Sequence, residues 1–276
     1  MKEQLSLTDL MALSSMQLVT CPENKDLSAP TGIGTGFILK YKEKFVIITA
    51  DHVIHGDDYA GKKQRNGLED KVAIITNRYR LNQNGQKEGE MFSLGAFYFF
   101  EHINLSKDTN SELFDTAFSI LPDDVMENLI CVTAGVKDYN TDEIIIKAGY
   151  RKLALPYDSA VTPNTTDTYF VSGNVQVHWE TAPTGEKVLA SGFTFHNDMR
   201  FHHTEGDYIV LESPEVIESK LWKGLSGSPV FNQEGFLLGV LSGGIPNSHF
   251  IYVVDINKII HIIDSTLQIE EINKNK

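Results

Sequence analysis

The chain has 276 residues, 41% hydrophobic and 22% charged, enough to bury a sizeable core in one large domain or two compact halves. Glycine and proline, at 21 and 9 residues, are near ordinary usage, which excludes collagen-like and disordered classes. A formal net charge of −13 argues against binding along a nucleic-acid backbone, so no nucleic-acid partner is expected. No apolar run approaches the roughly 18 residues of a membrane helix, and Cys21 and Cys131 cannot build a disulfide framework.

In chain order, the first element is a short helix capped by Ser6, with Asp9 three residues on. It leads into a strand around Met16–Thr20. The stretch Leu10–Cys21 could be misread as a secretion signal, but Glu3 cancels Lys2, Asp9 flanks the apolar run, and Thr20 occupies the place of a small cleavage-site residue. With few cysteines, cytoplasmic residence is the expectation.

Short β-branched and aromatic runs follow at Thr35–Tyr41, Lys44–Thr49, Lys71–Thr76, Phe92–Phe100, Thr116–Leu121 and Glu143–Lys147. They continue at Thr168–Val171, Asn174–Trp179, Tyr208–Leu211, Pro229–Asn232, Phe236–Ser242 and Phe250–Val254. Turn signals such as Asn82-Gln83-Asn84-Gly85 separate them, and βαβ alternation is absent. A terminal helix is predicted, capped by Asp255, with Ile256, Ile259, Ile260 and Ile263 on one face. The fold class is therefore all-β, divided into residues 1–138 and 139–276.

Three segments carry chemistry together. In Phe45-Val46-Ile47-Ile48-Thr49-Ala50-Asp51-His52, a buried strand delivers a histidine where the chain turns. In Phe114-Asp115-Thr116-Ala117-Phe118, an aspartate heads another buried strand. In Gly224-Leu225-Ser226-Gly227-Ser228-Pro229, a serine sits in a glycine turn before a strand. A serine hydroxyl needs an adjacent base, histidine titrates near working pH, and an aspartate fixes the histidine tautomer. Glycine at 224 frees the backbone so that N–H groups of Gly224 and Ser226 converge on a developing oxyanion. The upstream glycines, Gly32, Gly34 and Gly36, are spaced Gly-x-Gly-x-Gly and enter a strand, unlike a dinucleotide cradle.

At these residues the sequence resembles the trypsin-like (chymotrypsin-fold) serine peptidases, whose motifs Thr-Ala-x-His, Asp-x-Ala and Gly-x-Ser-Gly-[Gly/Ser]-Pro it matches in family order. Gly34-Thr35-Gly36-Phe37 is similar to the strand before the histidine in bacterial members. The resemblance implies two six-stranded antiparallel barrels with the site between them, and a serine endopeptidase that uses no cofactor or metal. His52, Asp115 and Ser226 would be catalytic, and Gly224 and Ser226 would form the oxyanion hole. Ser242, Gly243 and Gly244 resemble the edge strand on which the family's peptide or protein substrates lie, the serine supporting the aspartate. Lys220 falls where the family places its pocket floor, which would favour an acidic residue before the scissile bond; a plain solvent-facing lysine is the competing reading. Leu225 stands where zymogen-activated members carry an aspartate, so that switch is not expected. With the chain ending soon after its terminal helix, the peptide-binding domain of HtrA-type members is not expected. The oligomeric state is not legible.

Rival readings are plainer. A catalytically silent module that binds peptides or a partner would not need all three residues. A lipase-like elbow wants Gly-x-Ser-x-Gly before a helix, but Ser228 and Pro229 lead into a strand. His55 competes with His52 without the Thr-Ala-x context, and Asp108, Asp123 and Asp124 compete with Asp115 without a buried strand following. His196, His202 and His203 gather near Asp198, Glu205 and Asp207, yet without HExxH or paired CxxC spacing they read as solvated loop histidines. The pairs Asp57-Asp58 and Asp123-Asp124 read as solvated loops, and Trp179 and Trp222 as packing residues.

Overall fold

The computed structural model describes residues 5–21, 30, 32–55, 71–81, 83, 85, 87–103, 111–129, 136–147, 149–181 and 187–274. The predicted helix α1 (Leu7–Ser14) forms with a reciprocal capping box: Ser6 Oγ accepts from Asp9 N–H, and the Asp9 carboxylate accepts from Ser6 N–H. The first half then runs β1 (Ser15–Cys21), β2 (Gly32–Tyr41), β3 (Lys44–Thr49), α2 (Asp51–Ile54) and β4 (Lys71–Leu81). It closes with β5 (Lys87–Ser93), β6 (Tyr98–Ile103), β7 (Ser111–Leu121) and α3 (Val125–Asn128).

A connection follows, with a hairpin of β8 (Val136–Lys137) and β9 (Ile144–Ile146), then β10 (Ala154–Pro156), which returns to pair in parallel with β2. The division drawn at 138/139 falls inside that hairpin. The second half comprises β11 (Thr168–Thr181), β12 (Lys187–Glu205), β13 (Tyr208–Glu212), α4 (Ser219–Trp222), β14 (Pro229–Asn232), β15 (Leu237–Gly244) and β16 (Phe250–Asp255). The last helix is α5 (Ile256–Lys274), opened by Asp255 accepting from Asn257 N–H at 2.8 Å.

The second half is a closed six-stranded barrel, in the order β11-β12-β13-β16-β15-β14. The first is a half-barrel, a sheet in the order β5-β4-β1-β2-β3-β7-β6 with β10 added beside β2. It departs from a closed six-stranded barrel at its outer strands. The run Phe92–Phe100 divides into β5 and β6, and between them Leu94 and Phe97 pack on the sheet's core. Phe37, Leu39 and Phe118 of the sheet share one core with Phe231, Val240 and Val254 of the barrel and with Ile256, Ile259 and Ile263 of α5. The all-β class holds, and one of the two expected six-stranded barrels is closed; the other is an open half-barrel sheet.

Two further strand assignments change. Thr168–Val171 and Asn174–Trp179 are one strand, β11, irregular at Tyr169/Val171 and Val175/His178. The histidine-rich stretch is not loop but the end of the 19-residue β12. Polar residues on its outer face and a left-handed Asp198 (φ 61°) break the alternation by which a strand is read. No described helix is long and apolar enough to cross a membrane. Cys21 is buried; Cys131, Asp57, Asp58, Asp108 and the side chain of Trp179 lie outside the described residues.

Candidate active site

The apolar β3 is buried from Val46 to Thr49 and stops at Ala50, where one helical turn, α2, carries His52. β7 runs antiparallel to β3 with Ala117 opposite Thr49, so Asp115, two residues further along, arrives beside that turn. His52 N–H donates to Asp115 Oδ1 at 3.0 Å, and His52 Nδ1 lies 3.0 Å from both carboxylate oxygens. Ser242 Oγ donates to Asp115 Oδ2 from the second barrel. The motifs paired His52 with Asp115 and the resemblance added Ser242; in the structure both residues bond the Asp115 carboxylate.

Their electrostatics follow from this geometry. Burial pushes the Asp115 carboxyl up, but the His52 ring, its charge and the Ser242 and His52 donors outweigh it and hold it below 3.8. Burial pushes His52 down, yet Asp115, with Asp51 adding its charge, leaves it raised above 6.5. His55, the rival histidine, turns away onto Asp51, with Nδ1 2.8 Å from Oδ1. Asp123 is 75% exposed at its side chain and pairs with Lys44, far from the role considered for it.

Ser226 lies in the turn between α4 and β14, and that turn is docked on the first half. Thr35 N–H donates to Ser226 O at 2.9 Å, and Thr35 Oγ1 donates to Gly224 O at 2.7 Å. Thr49 Oγ1 in turn donates to Thr35 O at 2.7 Å. Gly227, at φ 87°, comes so close that a Cβ there would sit 1.9 Å from Thr35 O and 3.0 Å from Ala50 N. Only glycine tolerates both the dihedral and the approach. The serine turn is thereby pressed against the strand end that leads into His52. Thr35 sits inside a motif the sequence offered, but nothing local announced its tie to residues 224 and 226.

Leu225, Gly227 and Ser228 donate their N–H groups to Trp222 O, Leu241 O and Leu225 O. The N–H groups of Gly224 and Ser226 make no backbone hydrogen bond among the described residues. Gly224 reaches φ 107°, with a Cβ excluded by Asn174 O at 2.6 Å. On the neighbouring edge, β14 pairs with β15 only as far as Val240, so Gly243 and Gly244 pair with Tyr252 and Ile251 of β16, and Ser242 sits at the irregularity between Leu241 and Gly243. A Cβ on Gly243 would meet nothing within 4 Å, whereas one on Gly244 would meet Ile217 Cγ2 at 3.0 Å. Lys220 is exposed on α4.

Among the described residues no group of three or more histidine, cysteine, aspartate or glutamate side chains is placed to hold a metal. His202 and His203 are exposed, as solvated residues would be. His196 is different: it is 7% exposed and stacks on the packed Trp222 with centroids 4.1 Å apart.

No family model matches the sequence, and no curated protein does. Among solved structures, the chain is similar to the serine endoprotease from Yersinia pestis, at 15% identity and a TM-score of 0.44, covering 95% of this chain and 65% of that one. It is also similar to the tobacco vein mottling virus protease, at 13% identity and a TM-score of 0.43, covering 92% and 82%. The chain thus spans less than two thirds of the Yersinia pestis protein.

Proposed function

We propose that this chain is a serine endopeptidase acting through an acyl-enzyme, in the cytoplasm and without a cofactor. The observation that carries the reading is the His52–Asp115 pair, bonded at 3.0 Å, with the Ser226 turn docked through Thr35 on the same strand ends. Ser226 Oγ attacks the scissile carbonyl as His52 takes its proton, and the carbonyl π electrons pass to the oxyanion. N–H groups of Gly224 and Ser226 bind that oxyanion, a contribution of about 3–4 kcal/mol per donor in comparable sites. His52 then gives its proton to the leaving amine, and water repeats the sequence on the acyl-enzyme. The substrate adds a strand to the free edge at Ser242, Gly243 and Gly244, where main-chain bonds supply affinity. A fluorophosphonate probe tests the reading: labelling of the wild type that is absent from Ser226→Ala supports a nucleophile. No labelling of either favours a catalytically silent binding module.

The raised His52 pKa has a measurable consequence. General-base catalysis needs neutral imidazole, so kcat/KM should fall on acidification with a midpoint above 6.5. Folding linkage has its own signs. The His52 contribution is full below about 6.5 and is lost as pH rises through its higher folded value. The Asp115 contribution is full above 3.8 and is lost as pH falls through its lower folded value. A pH–rate profile on a small ester, with midpoint at or below 6.5, contradicts this electrostatic account.

Gly244→Val requires Ile217 to give way, because the new Cβ starts 3.0 Å from its Cγ2. Overpacking of this kind narrows the space beside the substrate strand, so KM for substrates with large side chains should rise about tenfold. The pH profile should stay in place. Steady-state kinetics on a size series of peptides checks it, and an unchanged KM across the series moves the substrate edge elsewhere.

A further inference from the structure

A buried histidine stands behind the serine turn. His196 lies on β12 opposite Val171 of β11. Its ring lies over the Trp222 indole, with the planes only 22° from parallel and the centroids 4.1 Å apart. Burial pushes the His196 pKa below 6.5, against the opposing effects of Leu221 O and the Glu215 charge, so the ring is neutral at working pH and carries one proton. That proton sits on Nε2, which donates to Leu221 O at 3.4 Å, because a carbonyl only accepts. Leu221 and Trp222 are the last two residues of α4, and the final carbonyls of a helix have no partner within it. His196 satisfies Leu221 O, and Leu225 N–H satisfies Trp222 O at 3.1 Å.

The bond from Leu225 to Trp222 closes a tight turn over Lys223 and Gly224, and Ser226 follows directly. This segment has two anchors. From the first half, Thr35 holds Gly224 O and Ser226 O. From the second, the Trp222 side chain is clamped by the His196 ring and packs with the buried Leu225 in the barrel core. The N–H groups of Gly224 and Ser226 lie between the anchors. Donors to an oxyanion work only when held in place beforehand, and a misplacement of about 1 Å can cost about 100-fold in rate. A Trp222 that slips from His196 carries its carbonyl, and the turn closed on it, away from that place.

We propose that His196 is a positioning residue that, through Leu221 O and the Trp222 ring, holds the 222–226 turn with the N–H groups of Gly224 and Ser226 aimed at the oxyanion. The assignment rests on the serine-peptidase reading and extends it to a side chain that is 7% exposed and acts from behind the turn. It concerns the oxyanion donors and not the proton path, since the groups acting on His52 are Asp115 and Asp51. The oxyanion exists only after attack, so a misplaced donor lowers kcat and leaves ground-state binding alone.

The test uses the full chain with His196→Phe, which keeps a stacked ring and removes the donor, and His196→Ala, which removes both. Steady-state kinetics on a peptide are measured, with kcat expressed per site counted by end-point fluorophosphonate labelling of Ser226. Amide NMR of Gly224 and Ser226 and the NMR titration of His52 accompany them. His196→Phe is expected to lower kcat per labelled site about 3- to 10-fold, the size of one hydrogen bond, with KM and the His52 midpoint unchanged. His196→Ala should lower it by about 3- to 10-fold more, as the aromatic stack is lost. The Gly224 and Ser226 amide resonances should move in both. An unchanged kcat per labelled site or unmoved amide resonances in His196→Phe overturn the proposal, and so does a loss expressed in KM or in the His52 midpoint. A His196→Phe chain that fails to fold overturns it too, because the histidine is then a packing residue. A wild type that is not labelled overturns the peptidase reading alone, because the amide resonances read the turn without turnover.

Discussion

Ser226→Ala is expected to abolish peptide hydrolysis while leaving thermal stability within about 0.5 kcal/mol of the wild type. The turn is held by backbone, through Thr35 N–H on Ser226 O and Gly227 N–H on Leu241 O, and the substitution touches neither bond. Loss of the nucleophile alone removes about 10⁶-fold in kcat in serine-peptidase triads, since the remaining two groups have nothing to activate. The measurement is turnover of a peptide substrate beside a melting curve for each protein. Undiminished turnover in the variant removes Ser226 from the chemistry. Loss of turnover with a large fall in melting temperature would show instead that the hydroxyl supports the fold.

What could be read in advance was whatever is written locally. His52 and Asp115 were legible because each closes or opens an apolar run, and the structure makes those runs the buried strands β3 and β7. Ser226 was legible from its flanking glycines, the same residues that permit the left-handed dihedrals at 224 and 227. Ser242 was legible only through family likeness, and its bond to Asp115 spans 127 residues. Thr35 lay inside a quoted motif, but nothing local announced that its hydroxyl bonds Gly224 O across 189 residues. His196 misled for the opposite reason, as one of several clustered histidines whose burial on Trp222 depends on a strand the pattern hid. The open side of the first sheet was equally hidden, because Leu94 and Phe97 look like strand interior until the outer strands part around them.

Asp115→Asn is expected to preserve the fold and cut kcat by up to about 10⁴-fold, the size of the equivalent change in Ser-His-Asp triads. The geometry says why. Both carboxylate oxygens now accept, from His52 N–H, from Ser242 Oγ–H and from the protonated Nδ1 of His52. An amide keeps one acceptor and turns the other into a donor. With its oxygen retained by His52 N–H, the NH₂ group faces Nδ1 and Ser242, so Nδ1 must accept and the ring proton moves to Nε2. That tautomer cannot take the serine proton. Loss of the charge that raises His52 also moves the acid limb of the kcat/KM profile downward. Asp123→Asn is the matched control, since its partner Lys44 sits at 3.1 Å in solvent and an exposed pair contributes about 0–1 kcal/mol. Kinetics and pH profiles of the two variants decide the assignment. If Asp123→Asn were the damaging change and Asp115→Asn the silent one, the acid of the site would have been placed on the wrong end of β7.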